Sequence, residues 1–320
     1  MIMTQLEELR LMAKIAHLYF ERQMKQSDIA EQLDVSQASI SRLLKRAEDE
    51  KIVRITVSMP AGVYADLEEE LRAAFGLKEV IIAHCMQDED EYIQRAIGAA
   101  AAFYLESTLK KNEIIGISSW SSTLLQMVEA MHPMSRRLDP QVVQILGGLG
   151  NPEAAIHANR LNERLSRLIN GSARFLLAPG VVGSMEVRQI LMEDPYVKAV
   201  VDMFDHMTLA LVGIGGVEPS YMLASSGNIF STDELQFLKN AGAVGDICLQ
   251  FFDANGKPVR TTLTDRVIAI SLDQLRRVER TVGLAGGQRK TSAIQAALRG
   301  KWINVLITDR FTAERLLHSS

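Results

Sequence analysis

Two sets of residues in this chain have types and spacing that could do chemistry. The first lies in Gln26–Glu50, QSDIAEQLDVSQASISRLLKRAEDE. Wound as a helix from Gln37, this stretch turns Ile40, Leu43 and Leu44 inward and leaves Gln37, Ala38, Ser39, Ser41, Arg42, Lys45 and Arg46 outward or at the margin. Glutamine can read adenine edges, arginine can read guanine or clamp phosphate, and small Ala38 and Ser39 let a helix sit deep in a groove. Lys45 and Arg46, at the C-terminal end of the helix, suit phosphates. A helix pair with a merely solvated polar face is the bland alternative, but this pattern near the N-terminus favours DNA.

The second set comes after apolar runs further along the chain. Ser118-Ser119-Trp120-Ser121-Ser122-Thr123 comes after Ile114–Ile117 and opens a helix. Hydroxyls and backbone N–H groups at a helix N-terminus suit an anion such as phosphate, against the alternative of a polar surface turn. Gly147-Gly148-Leu149-Gly150 allows close backbone approach to a ligand, although glycine turns are common. Asp246, in GAVGD, can accept bonds from sugar hydroxyls or cap local backbone. Lys290, in GGQRKT, can neutralise an anion or remain an ordinary solvated lysine.

Other patterns are weaker. Gly213-Ile214-Gly215-Gly216 lacks the third glycine of a dinucleotide fingerprint, and Pro219 stands where the helix should run, so no nicotinamide site is expected. The six histidines show no metal spacing, and no nucleophile elbow or Walker loop appears; neither metal nor cofactor is expected. Asp202, Asp205 and His206 cluster before a strand, a hint of acid–base chemistry outweighed by the reading as a polar helix end.

The elements that must position these groups are legible as patterns. A first helix over Leu6–Glu21 packs behind two short helices, with Ser27 and Ser36 as capping candidates. Ile52–Ser58, IVRITVS, reads as a strand and a candidate wing, and Met59–Gly62 as linker. Tyr64–Phe75 is a connecting helix, either for dimerisation or packed on the larger domain. From Lys78 short apolar runs alternate with helices. Strands are expected at Val80–Ala83, Ile114–Ile117, Val142–Leu146, Phe175–Leu177, Leu209–Ile214, Asp246–Phe252, Arg280–Leu284 and Val305–Thr308. Runs such as ALVGIG and NVLITD lack alternation, which suits a mostly parallel sheet buried by helices on both faces. Ligands in such sheets bind at the carboxyl ends of the strands. The domain reading is 1–58 as DNA-binding domain, 59–76 as linker and connecting helix, and 77–320 as effector domain.

Composition bounds the rest. The 320 residues are 47% hydrophobic, enough for two domains with one sizeable core. The net charge is −4, yet Arg10–Arg54 holds nine Lys or Arg against seven Asp or Glu. That mild excess gives modest non-specific DNA affinity, so a dimer or larger oligomer is needed to add up phosphate contacts. Cys85 and Cys248 are isolated, as suits a reducing cytoplasm. No signal peptide is visible, and apolar stretches are too short to span a bilayer. A soluble, cytoplasmic protein is expected.

Taken together, QSDIAEQLDVSQASISRLLKRAEDEKIVRI, ISSWSST, QILGGLG, ALVGIGGV, SSGNIF, GAVGDICLQFFDANG and VGLAGGQRKTSAIQAALRGKWINVLITD resemble the SorC-type sugar-binding transcriptional regulators over nearly the whole chain. The resemblance implies a winged-type helix-turn-helix followed by an α/β effector domain similar in fold to sugar-phosphate isomerases and glucosamine-6-phosphate deaminase. It implies a tetramer, or a dimer of dimers, on double-stranded operator DNA, with a sugar, polyol or sugar phosphate changing the affinity. It places the phosphate-holding loop on Ser118 to Thr123 and carries the family's aspartate and lysine onto Asp246 and Lys290. In the related enzymes the GIG strand end runs on to an acidic residue, glycine and histidine; here Gly216-Val217-Glu218 follows, without the histidine. The deaminases' aspartate-glutamate pair is also missing at Gly147–Gly150. Binding without turnover is expected; a sugar-phosphate isomerase or deaminase with an accessory DNA domain is the alternative.

Overall fold

The computed structural model describes residues 5–50, 52–53, 62–150, 152–219, 223–224, 227 and 230–318. The chain divides into two compact units, Met1–Pro60 and Ala61–Ser320.

The described part of the first unit carries α1 (Gln5–Ala16), which runs into a π-helical turn at His17–Glu21, followed by α2 (Gln26–Leu33) and α3 (Gln37–Asp49). Its core is Met12, Ile15, Ala16, Ile29, Ala30, Ile40, Leu44 and Ala47, of which Ile40 and Leu44 are inward positions that the spacing predicts for α3. Asp34, left-handed at φ 52°, ends α2, and the Ser36 side chain accepts the Ser39 N–H at 3.2 Å to begin α3. Ser27 is no cap. Helix α2 starts one residue before it, and its hydroxyl donates instead to Asp28 Oδ1 at 2.9 Å. Ile52 and Val53 form a bend, with the Val53 N–H on Ala47 O at 3.0 Å. The rest of the expected wing, residues 54–58, and the linker at 59–61 lie outside the described residues.

In the second unit α4 (Ala65–Phe75) packs on the sheet, burying Leu71 in its main core and offering Glu68 Oε1 to the Ile82 N–H at 2.8 Å. A leucine so buried contributes roughly 2 kcal/mol. The chain then alternates: β1 (Glu79–Ala83), α5 (Asp90–Thr108), β2 (Ile114–Ile117), α6 (Ser122–Ala130), β3 (Gln141–Gln144), α7 (Pro152–Leu168) and β4 (Ser172–Arg174). Then come α8 (Met185–Glu193), α9 (Pro195–Val201), β5 (Leu209–Gly213), β6 (Gly215–Gly216), α10 (Thr232–Asn240), β7 (Ala243–Ile247) and β8 (Gln250–Asp253). The last are α11 (Leu272–Arg277), β9 (Arg280–Leu284), α12 (Thr291–Arg299), β10 (Val305–Asp309) and α13 (Arg310–His318).

Seven strands form one parallel sheet in the order β1-β10-β9-β5-β2-β3-β4, with two hydrophobic cores lying against it. From β2 the chain winds outward through β3 and β4; from β5 it winds the other way through β9 and β10 toward β1. The winding therefore reverses between β2 and β5, which opens a crevice at their carboxyl ends. β6, β7 and β8 form a separate antiparallel sheet. Among the described residues, no helix is long and apolar enough to cross a membrane.

Two strand expectations need correction. The fourth strand is Ser172–Arg174, not Phe175–Leu177: pairing with β3 ends at Arg174, and the Leu176 N–H goes instead to the Gln144 side chain at 3.1 Å. Asp246–Phe252 is not one strand but the hairpin β7–β8, turning at Cys248 and Leu249 with φ 53° and 61°. Both residues hold a conformation that usually calls for glycine or asparagine, and the Asp246 carboxylate stabilises it by accepting the Leu249 N–H at 2.9 Å.

Candidate functional site

On the first unit, Gln37, Ala38, Ser41, Arg42, Lys45 and Arg46 are exposed along α3, and Ser39 is half-buried beside them. Ser39 shares a 2.9 Å hydrogen bond with Ser36, and Arg42 leans on its own helix through Ala38 O and Ser39 Oγ, each at 3.3 Å. Arg46 is differently placed. Its guanidinium bonds Glu8 at 2.5 Å and Glu50 at 2.9 Å, tying α1 to α3 and raising its basicity further.

On the second unit, a cavity of about 840 Å³ opens at the carboxyl edge of the sheet, over the β2–β5 reversal. Ser118, Ser121 and Ser122 reach it from the end of β2, Asp246 from β7, and Lys290 from the turn after β9. These five expected residues come together although 172 positions separate the first from the last. Ser119 and Thr123 are buried beside them but do not line the cavity, and among the described residues Ser119 Oγ has no hydrogen-bond partner. Gly147 and Gly148 also stand off the lining. A Cβ at Gly147 would meet the Pro179 backbone at 2.4 Å, and one at Gly148 the Gln144 amide at 2.2 Å. The Gly147 carbonyl accepts the buried Trp120 indole N–H at 3.2 Å, which fixes the serine loop from behind.

The local chemistry of the lining is set by helix ends. Ser121 caps α6 by accepting the Leu124 N–H at 3.3 Å, and its oxygen approaches Gly213 so closely that a Cβ there would stand 2.8 Å away. α6 and α12 both begin at the cavity, and neither has an acid in its first turn. Their N-terminal partial charges are left for an anion. Half-buried Lys290 adds a cation beside α12; burial depresses its pKa, partly offset by Asp90 and Asp246. Asp246 lies against Gly215, where a Cβ would come within 2.3 Å of Oδ1. Burial pushes its pKa up to about 6, against the Leu249 N–H and the Lys290 charge, which pull it down. Burial pushes the thiol of Cys248, also on the lining, up to about 12, which favours its protonated form.

Sequence reasoning missed several lining residues: Asp90 and Gln94 of α5, Glu218 and Lys239, which pair at 2.8 Å, and Arg289, which pairs with Asp90. The GGQRK run carried the only signal, a second cation beside Lys290. Asp205 and His206 precede β5, at the amino edge opposite the cavity, and Asp205 is held by Arg277 at 2.6 Å and Gln274 at 3.2 Å.

Such a cavity, at the reversal of a parallel sheet, defines an α/β ligand-binding domain with a helical unit ahead of it. The sugar-binding domain family (Sugar-bind) matches residues 60–318. The sorbitol operon regulator of Klebsiella pneumoniae is 32% identical over 313 residues, spanning 97% of this chain and 98% of its own. The deoxyribonucleoside regulator of Bacillus subtilis (strain 168) is 32% identical over 312 residues, 98% of each chain. The crystal structure of full-length SorC from Klebsiella pneumoniae matches with a TM-score of 0.74 at 31% identity, covering 99% of this chain and 100% of that one. The sugar-binding domain of the transcriptional regulator DeoR from Pseudomonas syringae pv. tomato matches with a TM-score of 0.63 at 42% identity, covering 80% and 99%. This chain belongs to the SorC-type family of sugar-binding transcriptional regulators.

Proposed function

We propose that this regulator binds double-stranded operator DNA through a winged helix-turn-helix, and that a sugar, polyol or sugar phosphate in the cavity changes that affinity. The observation that carries the reading is the convergence of Ser118, Ser121, Ser122, Asp246 and Lys290 on one cavity at the sheet reversal. The serine side, the two helix N-termini and Lys290 suit an anionic group, while Asp246 suits ligand hydroxyls. Ser119, Thr123, Gly147 and Gly148 support that loop from behind. On α3, Gln37 and Arg42 are the base-reading pair, Ala38, Ser39 and Ser41 form the close-approach surface, and Lys45 and Arg46 meet phosphates. Arg46 would exchange Glu8 and Glu50 for a phosphate oxygen.

The mildly basic reader favours a dimer or tetramer, in which paired readers add their phosphate contacts. Relatives are named for sorbitol and for deoxyribonucleosides, both hydroxyl-bearing small molecules, which supports a sugar or polyol catabolic operon as the target. Binding without turnover is part of this reading, supported by the sequence after the GIG strand end, where Gly216-Val217-Glu218 lacks the histidine of the related enzymes.

The test is calorimetric titration of the full chain with a panel of free and phosphorylated sugars and polyols. One compound is expected to bind, and Lys290→Met to weaken it by roughly tenfold or more if it is anionic, the scale of a lost charge-assisted hydrogen bond. A panel without a binder, or an anionic binder indifferent to Lys290→Met, overturns the assignment.

A further inference from the structure

Asp309 ends β10 and is wholly buried, yet it does not line the cavity. A carboxylate in such a place must be compensated by donors. Its Oδ1 accepts the Thr312 N–H at 3.0 Å; its Oδ2 accepts the Thr312 hydroxyl at 2.6 Å and the Gly287 N–H at 3.2 Å. The Thr312 oxygen in turn accepts the same Gly287 N–H at 2.7 Å, so this one amide is gripped from two sides. Thr312 is also wholly buried.

What is gripped is the turn that carries two cations of the cavity, Arg289 and Lys290. Gly286 packs so tightly on Asp309 that a Cβ there would stand 2.2 Å from Oδ2. Gly287 sits at φ +93°, a conformation side chains resist. Its carbonyl accepts the Lys290 N–H at 3.1 Å and is approached by the Thr291 hydroxyl at 3.5 Å. Gly287 therefore joins two bonding systems: its N–H points back to β10 and α13, and its carbonyl points forward to Lys290 and the first turn of α12. Among the described residues no strand or helix ladder supplies the N–H with a partner, so without Asp309 and Thr312 it would be an orphan.

We propose that Asp309 and Thr312 are positioning residues for the effector site, fixing through Gly287 the place of Lys290 and the N-terminus of α12. The inference rests on the reading of the cavity as an anion-accepting effector site. It predicts that these two buried side chains govern affinity without touching the ligand.

The test uses the full chain with Asp309→Asn, Thr312→Val and Thr312→Ser, and inorganic phosphate as the probe of the cationic corner. Amide hydrogen exchange over residues 285–292 is expected to rise in Asp309→Asn and Thr312→Val, and phosphate affinity to fall by roughly tenfold, as for a lost hydrogen bond to a charged group. Exchange in the other strands should stay unchanged. Thr312→Ser keeps the hydroxyl and should behave as wild type in both measurements. Thr312→Val leaves Asp309 in place and decides the matter if Asp309→Asn does not fold. Exchange that rises while phosphate affinity holds, or exchange that does not rise, overturns the proposal. Wild-type protein that takes up no phosphate overturns the anionic reading of the cavity instead; the exchange data then still judge the grip on the turn.

Discussion

Arg42 and Arg46 stand one turn apart on α3, and their neighbours separate them. Among the described residues Arg42 bonds only its own helix, through Ala38 O and Ser39 Oγ, and can be redirected to a base edge at little cost. Arg46 already holds two carboxylates. Arg42→Ala is therefore expected to remove roughly 1–3 kcal/mol of operator discrimination, the scale of a bidentate base contact. Equal affinities of variant and wild type for operator DNA, measured at one salt concentration, would take Arg42 off the reading face. Asp246 carries a different signature. With a folded pKa of about 6 against an ordinary 3.8, its protonated form is favoured by folding. That stabilisation is fully present below the ordinary value and is lost as pH rises through about 6, because unfolding then releases a proton. The loss amounts to roughly 3 kcal/mol at about 1.4 kcal/mol per decade. Asp246→Asn retains an acceptor for the Leu249 N–H and should flatten this part of the stability curve in urea titrations from pH 4 to 7. A variant curve that falls as steeply as the wild type would assign the loss to another group.

Elements place these residues, and one buried ion pair sets the elements. Arg280 at the start of β9 reaches past β5 to Glu113 just before β2, with Nη2 to Oε1 at 2.6 Å and only 11% and 4% of the two side chains exposed. It clamps the amino edge of the three strands whose carboxyl ends form the cavity. Glu113→Gln leaves the Arg280 charge buried without its partner and should cost about 3–5 kcal/mol in urea unfolding. Joint replacement by apolar residues, Glu113→Leu with Arg280→Met, should recover most of it; a single variant as stable as the wild type would contradict the clamp. Parallel strands such as Leu209–Gly213 and Val305–Asp309 were legible because burial on both faces writes them as unbroken apolar runs. The β7–β8 hairpin was not, since the same rule joins Ile247, Cys248 and Leu249 to Phe251 and Phe252, and no glycine marks the turn. The serine loop, Asp246 and Lys290 stood out at strand ends. Asp90, Glu218 and Lys239 did not, because charged residues at helix ends and in loops are ordinary until the fold draws them to one opening.

At the scale of the whole molecule, regulation requires that the cavity and the reader share an equilibrium. An effector can shift operator affinity only by its difference in affinity between the two states, so tight binding alone is not regulation. The measurement that tests this most directly is fluorescence anisotropy of operator DNA titrated with the full chain at fixed salt, with and without each sugar, polyol and sugar phosphate. Salt is held because phosphate contacts make affinity fall steeply with it. One compound is expected to move the midpoint by roughly tenfold, a typical coupling of about 1–3 kcal/mol. Lys290→Met should erase the shift of an anionic effector while leaving effector-free binding intact. A compound that occupies the cavity in calorimetry yet leaves the DNA curve where it was would contradict the account.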